Sequence, residues 1–452
     1  MLLADKVWAA LGGNPTVDLG VKGEGTLPSV HAVTDLAVAT IGAAGRATAE
    51  LAAALFGHAP DVTVDRRRAS LWFARSFDPL GWEPAPTWDA VAGDYPTIDG
   101  WIKLHTNAPA HQRAALSVLG VPVDRGAVER AVARWRGEDL EAAVVEAGGC
   151  AAAMRSAAAW REHAQGRSVS NEPLVWREDT DAAAGPVWPG SPERPLQGLR
   201  VLDLTRVLAG PVATRFLASF GAEVLRIDPP WWDEPAIVPD VTLGKRCARL
   251  DLRRAEDRAR LEALLADADV IVHGYRPGAL DGLGFGAERR RQLRPGLVDV
   301  SLCAYGWTGP WRGRRGFDSL VQMSSGIAEA GMRALRSDRP VPLPVQALDH
   351  ACGYLMAAAV LRGLTQRVSR GVGCEARASL ARVAAILAPT RGDIRGPGLA
   401  PAKEQDWAEG VENTAGGPAR RLRPPLTLGT TVPRWDRGAG PLGTAAPSWA
   451  NH

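Results

Sequence analysis

Asp349 stands just before one alanine-rich apolar run and Asp35 just before another, and a carboxylate at the head of a helix has two kinds of use. It can cap the helix by accepting a backbone N–H, which is worth about 1 kcal/mol and is the ordinary role. It can also be a nucleophile, because the helix N-terminus favours the anion and its free N–H groups can face a developing oxyanion. His350 follows on the same helix start, where a sequence neighbour points elsewhere. The five cysteines, Cys150, Cys247, Cys303, Cys352 and Cys374, lie far apart, with no CxxC pair and no histidine at ligand spacing. They read as small buried hydrophobes in a reducing compartment, and no metal is expected.

The elements that would position such a carboxylate are plainest in GLRVLDLTRVLAGPVATRFLASFGAEVLRID, residues 198–228. Residues 199–204 are apolar enough for a strand buried on both faces, Gly210-Pro211 opens a helix with Pro at its first position, and Gly221 closes it. A second strand follows at 223–227. The turn 205–210 holds one glycine where the dinucleotide pattern G-x-G-x-x-G needs three, so nicotinamide and flavin cofactors are disfavoured. Alternation continues with strand-like 247–252, a charged helix over 254–265, and strands at 270–275 and 297–305. This predicts a parallel sheet with helices on both faces, an α/β fold.

The first half reads differently. It is mainly helical, at 35–55, 125–135 and 138–146, with only 62–64 and 101–104 strand-like. Polar, Pro/Gly-rich tracts at 162–197 and 391–452 read as an exposed linker and an irregular C-terminal segment, the latter with a short edge strand in RLRPPLTLG. The expected units are 1–161, 162–197, 198–390 and 391–452. An internal echo joins the halves: each aspartate heads an alanine-rich helix, and Arg68-Ala69-Ser70-Leu71 recurs as Arg377-Ala378-Ser379-Leu380. A remnant duplication is the reading.

Composition narrows partners rather than naming them. With 46% hydrophobic and 23% charged residues and a net charge of +3, the chain is an ordinary globular one. Its arginines are scattered among acids, so nucleic acid is not implied. The N-terminus lacks the layout of a secretory signal, and the apolar run 351–361 is too short to span a bilayer, which needs about 20 residues. A cytoplasmic protein without membrane partners is the expectation.

Five motifs then occur in a fixed order: VLDLTRVLAGPVATRFLASFGAEVLRID, GKRCARLDL, ADVIVHGYRPGALDGLG, VSLCAYGWTGPWRGRRGFDSLVQMSSG and QALDHACGY. Together, over 196–387, they closely resemble the family III CoA-transferases, the CaiB/BaiF class that includes formyl-CoA transferase, carnitine CoA-transferase and the alpha-methylacyl-CoA racemases. More faintly, 35–73 resembles the family's segment after the nucleophile, and GDYPTIDGWIKLHTNAPAHQRAALSVLG its smaller domain, so the family's parts stand in rearranged order.

The resemblance implies a Rossmann-like sheet domain plus a mainly helical N-terminal domain, acyl-CoA and carboxylic acid substrates, and an interlocked homodimer. Asp349 falls at the position of the aspartate that attacks the thioester. Leu208 and Ala209 would lie against CoA near the thioester, and Leu250, Arg253, Gly274, Tyr275, Arg276, Arg315, Phe317 and Asp318 fall where the family contacts the nucleotide portion. Arg253, Arg276 and Arg315 suit phosphates, and Tyr275 suits adenine. Asp35 lacks the glycine that Asp349 has four residues on, Gly353, carrying Ala39 instead, and reads as a cap or relic. Where the racemase branch has G-H-D-I this chain has Gly316-Phe317-Asp318-Ser319, and Phe317 cannot move a proton. Transfer is therefore favoured over racemisation or epimerisation of a 2-methylacyl-CoA. A third reading is a relative that binds acyl-CoA without chemistry.

Overall fold

The computed structural model describes residues 2–182, 188–396 and 398–450. Arg200–Leu204, Glu223–Asp228, Lys245–Arg249, Val270–His273, Val298–Cys303 and Val372–Ser379 form parallel strands, which, counted along the chain, lie in the order 3-2-1-4-5-6. That is the doubly wound order, and ligands of such sheets sit beyond the strand carboxyl ends where the order reverses. The reversal here falls between Arg200–Leu204 and Val270–His273.

The apolar runs divide by strand parity. Val201, Val224, Val270, Val272, Val298 and Val300 pack against the helices Ala209–Ser219 and Ala347–Arg370. Their strand neighbours Leu202, Leu204, Leu225, Ile227 and Ile271 pack on the opposite side, against Leu261, Leu264 and Leu265 of helix Ala255–Ala266. Continuous apolar sequence thus serves two faces at once.

Composition misjudged the segment 162–197. Rather than an exposed connector, it carries helix Ala164–Ser170 and strand Trp176–Ala182, which pairs antiparallel with Val372–Ser379 as the seventh strand of the sheet. Gln165 and Glu172 are buried and serve the loop after Val298–Cys303. Gln165 Nε2 donates to the Tyr305 and Thr308 carbonyls at 2.7 and 2.8 Å, and Glu172 Oε1 accepts from the Trp307 and Thr308 N–H groups at 2.8 Å each. The first half also holds more strands than its sequence suggested. Gly93–Pro96, Trp101–Leu104 and Ala151–Ala153 make an antiparallel sheet under the helices Pro109–Leu119, Arg125–Val132 and Gly137–Glu146, with its own core of Tyr95, Ile102, Leu104, Val128, Leu140 and Val144. This small unit spans 93–153.

The two aspartate-headed helices match in geometry, but the repeated tetrapeptide does not. Helices Val33–Phe56 and Ala347–Arg370 are both 24 residues long and pack along each other, each with its aspartate as third residue. Their N-caps match, Ala32 at φ −76, ψ 65 and Gln346 at φ −75, ψ 64, and each helix ends on a left-handed glycine, Gly57 or Gly371. Each is followed by a strand with one parallel and one antiparallel neighbour: Val62–Asp65 between Leu19–Lys22 and Leu426–Leu428, and Val372–Ser379 between Val298–Cys303 and Trp176–Ala182. Asp65 and Ser379 then cap the next helix through the N–H three residues on. Arg68-Ala69-Ser70-Leu71 lies wholly inside that helix, whereas Arg377-Ala378-Ser379 ends a strand, so the repeated letters are not equivalent positions.

Candidate active site

At the reversal point the chain leaves Arg200–Leu204 through a turn that lacks the dinucleotide glycines and is held by a buried charge instead. The Asp203 carboxylate is fully buried, pairs with Lys245 Nζ at 2.9 Å, and accepts the Thr205 N–H at 2.9 Å and the Thr214 hydroxyl at 2.6 Å. Burial pushes this carboxyl up, but Lys245, Arg226 and the two threonine hydroxyls outweigh it and leave it below the ordinary value. The next residues bend sharply. Val207 adopts φ 63, a left-handed conformation that costs a β-branched residue about 1–2 kcal/mol, and its N–H donates to Glu234 Oε2 at 2.9 Å. Leu208 and Ala209 follow, both buried, and the helix begins at Ala209, so Pro211 is its third residue rather than its first.

The helix carrying Asp349 meets this turn at one point. A Cβ on Gly353, one turn beyond Asp349, would lie 2.4 Å from the Ala209 carbonyl oxygen and 2.8 Å from Val212 Cβ. Only glycine permits that approach. It puts the start of Ala347–Arg370 at the carboxyl end of the sheet.

Asp349 lies in the first turn and is 7% exposed. It does not cap its own helix; no side-chain cap forms there. Asp318, 1% exposed at the start of helix Asp318–Ser324, does so from outside, its Oδ2 accepting the Asp349 N–H at 2.9 Å. Gln322 donates to the other Asp318 oxygen and accepts the Leu343 N–H at 2.7 Å. Burial pushes the Asp318 carboxyl up to about 6, against the Gln322 amide and the Asp349 and Leu348 N–H groups that favour its anion. Burial, then the Asp318 charge, pushes Asp349 well above the usual carboxylate range. His350 is buried, stacks on Phe73 with ring centroids 5.0 Å apart, and is pushed down to about 3 by burial and then by Arg215.

The small unit closes on this place. Arg314 Nη2 reaches Glu141 Oε1 and the Ala151 carbonyl, both at 2.7 Å, and the Arg155 N–H donates to the Met323 carbonyl at 3.0 Å. Cys150, Ala152, Leu320, Met323 and Ala328 share one apolar cluster with Phe317 against it. His105, from the end of Trp101–Leu104, stacks flat on Phe317 with ring centroids 3.7 Å apart and planes 3° from parallel. The two halves thus meet beside Asp318 and Asp349 within a single chain.

Of the residues singled out for CoA, the structure brings some together and sets others apart. Arg276 and Arg315 are exposed, make no side-chain hydrogen bond or ion pair among the described residues, and share a field in which burial and then Arg315 lower Arg276. Gly274 is exposed beside Tyr275, whose ring lies under the Arg206 guanidinium at 5.4 Å and whose hydroxyl accepts from Arg206 at 3.1 Å. Arg253 is already engaged, bidentate to Asp251 at 2.8 and 2.7 Å and lying over the Trp231 ring at 3.9 Å. Leu250 is buried in the core on the far side of the sheet. Asp318 is too deeply buried to meet a nucleotide and acts on Asp349 instead. Asp35 is half-exposed and paired with Arg66 at 2.5 Å. Sequence reasoning missed Lys245, Gln322 and His105. The LDLT and GKR strings held a signal for the Asp203–Lys245 pair, whereas nothing near His105 in sequence points to Phe317.

No group of three or more metal-ligating side chains occurs among the described residues, and no helix there is long and apolar enough to cross a membrane. The family model described as CoA-transferase family III matches residues 196–408. The chain is 37% identical over 207 residues to the acetyl-coenzyme A transferase nodX of Hypoxylon pulicicidum, covering 45% of this chain and 34% of that one. It is 33% identical over 204 residues to the succinyl-CoA–D-citramalate CoA-transferase of Chloroflexus aurantiacus, covering 40% and 48%. A solved CAIB/BAIF family protein from Brucella suis is 26% identical, with a TM-score of 0.40 over 50% of this chain and 65% of that one. The chain spans about a third to a half of the length of the curated relatives it matches.

Proposed function

We propose, on the premise that residues 196–408 belong to CoA-transferase family III, that this chain moves CoA from an acyl-CoA thioester to a carboxylic acid with Asp349 as the covalent carrier. The observation that carries the reading is the placement of Asp349: a buried carboxyl in the first turn of a long helix, beyond the strand ends at the switch point, one turn from the Gly353 contact with Ala209.

Ionised Asp349 attacks the thioester carbonyl carbon, the C–S bond breaks, and CoA leaves as thiolate from an acyl-aspartyl anhydride. The thiolate attacks the aspartyl carbonyl carbon, releasing the first acid as a carboxylate and leaving an aspartyl-CoA thioester. The acceptor carboxylate then displaces the thiolate, which takes the acceptor's acyl group from the new anhydride and restores Asp349. The Asp318 carboxylate already takes the first-turn N–H of Asp349, whereas the unpaired Arg276 and Arg315 suit CoA phosphates. Racemisation would need a second proton carrier across the alpha carbon, and Phe317 offers none.

The test is mass spectrometry of the intact protein during turnover with hydroxylamine as trap. Wild type yields an Asp349 hydroxamate and Asp349→Ala yields none. Full transfer by Asp349→Ala overturns the proposal, and CoA binding without exchange over a panel of acids favours a binding protein.

A further inference from the structure

Among the described residues two non-glycine residues have positive φ, Val207 and Arg336, and Val207 is the β-branched one. A β-branched residue leaves the left-handed region unless its surroundings hold it there, and strain of this kind gathers where a protein fixes a site. Here a carboxylate does the holding. Glu234, 27 residues away in sequence, accepts the Val207 N–H on Oε2 at 2.9 Å. Its side chain is 8% exposed, and its other oxygen, Oε1, accepts from Arg226 Nη2 at 2.5 Å. Arg226 is fully buried and also bidentate to Asp228, at 2.8 and 3.1 Å. The loop that carries Glu234 is pinned in turn: Arg249 Nη1 donates to the Pro229, Pro230 and Trp232 carbonyls at 3.0, 2.9 and 2.8 Å, and the Arg206 guanidinium lies over the Trp232 ring at 5.2 Å.

A buried ion pair is weak evidence for stability, since apolar residues of the same volume often serve as well. What an apolar residue at 234 could not do is accept the Val207 N–H. From Val207 the path to the reaction is short. Leu208 and Ala209 follow, and the Ala209 carbonyl is the atom that Gly353 approaches one turn beyond Asp349. Resting on the transfer reading above, we propose that Glu234 is a positioning residue for that reaction: by holding Val207 left-handed, it sets the Leu208-Ala209 edge of the turn against the helix of Asp349.

Acylation of Asp349 at saturating thioester, read by intact mass without acceptor, tests this with acetyl-, butyryl- and succinyl-CoA as probes. Glu234→Ala leaves Arg226 on Asp228 but frees the Val207 N–H, and is expected to slow acylation about tenfold or more, a loss that a displacement of about 1 Å suffices to produce. Val207→Gly removes the strain, because glycine adopts a positive φ without help, and alone is expected to stay within about threefold of wild type. The double variant Glu234→Ala, Val207→Gly is expected to recover most of the lost rate, which a role confined to stability or to the charge on Arg226 would not produce. Urea unfolding of each variant accompanies the rates, and where Glu234→Ala alone does not fold, the double variant decides. A wild-type rate in Glu234→Ala, or a double variant that fails to recover or fails to fold, overturns the assignment of Glu234 while leaving the transfer reading intact. Absence of acyl-Asp349 in wild type with all three thioesters overturns the transfer reading itself.

Discussion

The Asp318 carboxylate accepts the backbone N–H of Asp349 at 2.9 Å, so the candidate nucleophile starts its helix beside a second buried carboxyl. Two such groups in one low-dielectric place do not both ionise readily. The arrangement trades stability for a basic, poorly solvated carboxylate once the proton leaves.

Asp318→Asn isolates that trade, because the amide oxygen can still cap the helix. Since Asp349 is raised first by burial and then by the Asp318 charge, the variant is expected to move the acid limb of the kcat/KM profile to lower pH. Stability follows with a definite sign. An acid raised on folding loses its proton first in the unfolded chain, so stability falls as pH rises from about 4, the unfolded value, through the folded one. Asp318→Asn should therefore be more stable than wild type by roughly 1–3 kcal/mol above pH 7 and equal to it below about pH 4. An unchanged acid limb together with unchanged denaturation midpoints would contradict the carboxylate pair.

Lys245 tests what replaces the missing glycines. In Lys245→Met the Asp203 carboxylate keeps its threonine bonds but loses Lys245 Nζ at 2.9 Å, its one contacting cation among the described residues. Breaking a buried pair on one side costs about 3–5 kcal/mol. The double variant Asp203→Asn, Lys245→Met, which strands no charge, is expected to recover most of that in urea titrations. Equal losses in single and double variants would mean that the pair does not hold the turn.

How much of this was legible in sequence follows from the range of each interaction. The doubly wound sheet was readable because continuous apolar strand runs, helix punctuation and the alternation of strand with helix are local signals. Gln165 and Glu172 were not, since polar residues in a Pro/Gly-rich tract look solvated until the 305–311 loop that they satisfy is in place. Asp318 was placed against the nucleotide together with its sequence neighbours by resemblance, whereas at the start of helix Asp318–Ser324 its carboxyl is buried and turned to the Asp349 N–H. His105 meets Phe317 only through the docking of two separately folded cores.

Arg276 and Arg315 should contribute to binding rather than to chemistry. Both are exposed and unpaired by other side chains among the described residues, so either Ala variant removes a cation without stranding a partner. Each is expected to raise KM for the acyl-CoA about three- to thirtyfold with kcat nearly unchanged, with the increase shrinking at high salt. A fall in kcat at constant KM would place them elsewhere in the reaction.

The two aspartate-headed helices give a matched comparison at one position. Gly353 faces Ala209 and Val212, where an added Cβ would sit 2.4 and 2.8 Å from backbone and side-chain atoms. Its counterpart four residues beyond Asp35 is Ala39, which is buried. Gly353→Ala gains about 1 kcal/mol of helix propensity but forces the helices apart, so a net loss of about 1–3 kcal/mol is expected. Because Asp349 rides on the same turn, acylation should slow as well, by tenfold or more if the carboxyl moves about 1 Å. Ala39→Gly makes the reverse exchange in the helix headed by Asp35 rather than Asp349, and is expected to cost about 1–2 kcal/mol with acylation unchanged. The pair is measured by urea unfolding and by acyl-Asp349 formation. Stabilisation by Gly353→Ala would show that the close approach is not required, and with it would go the argument for how the nucleophile helix is set against the turn.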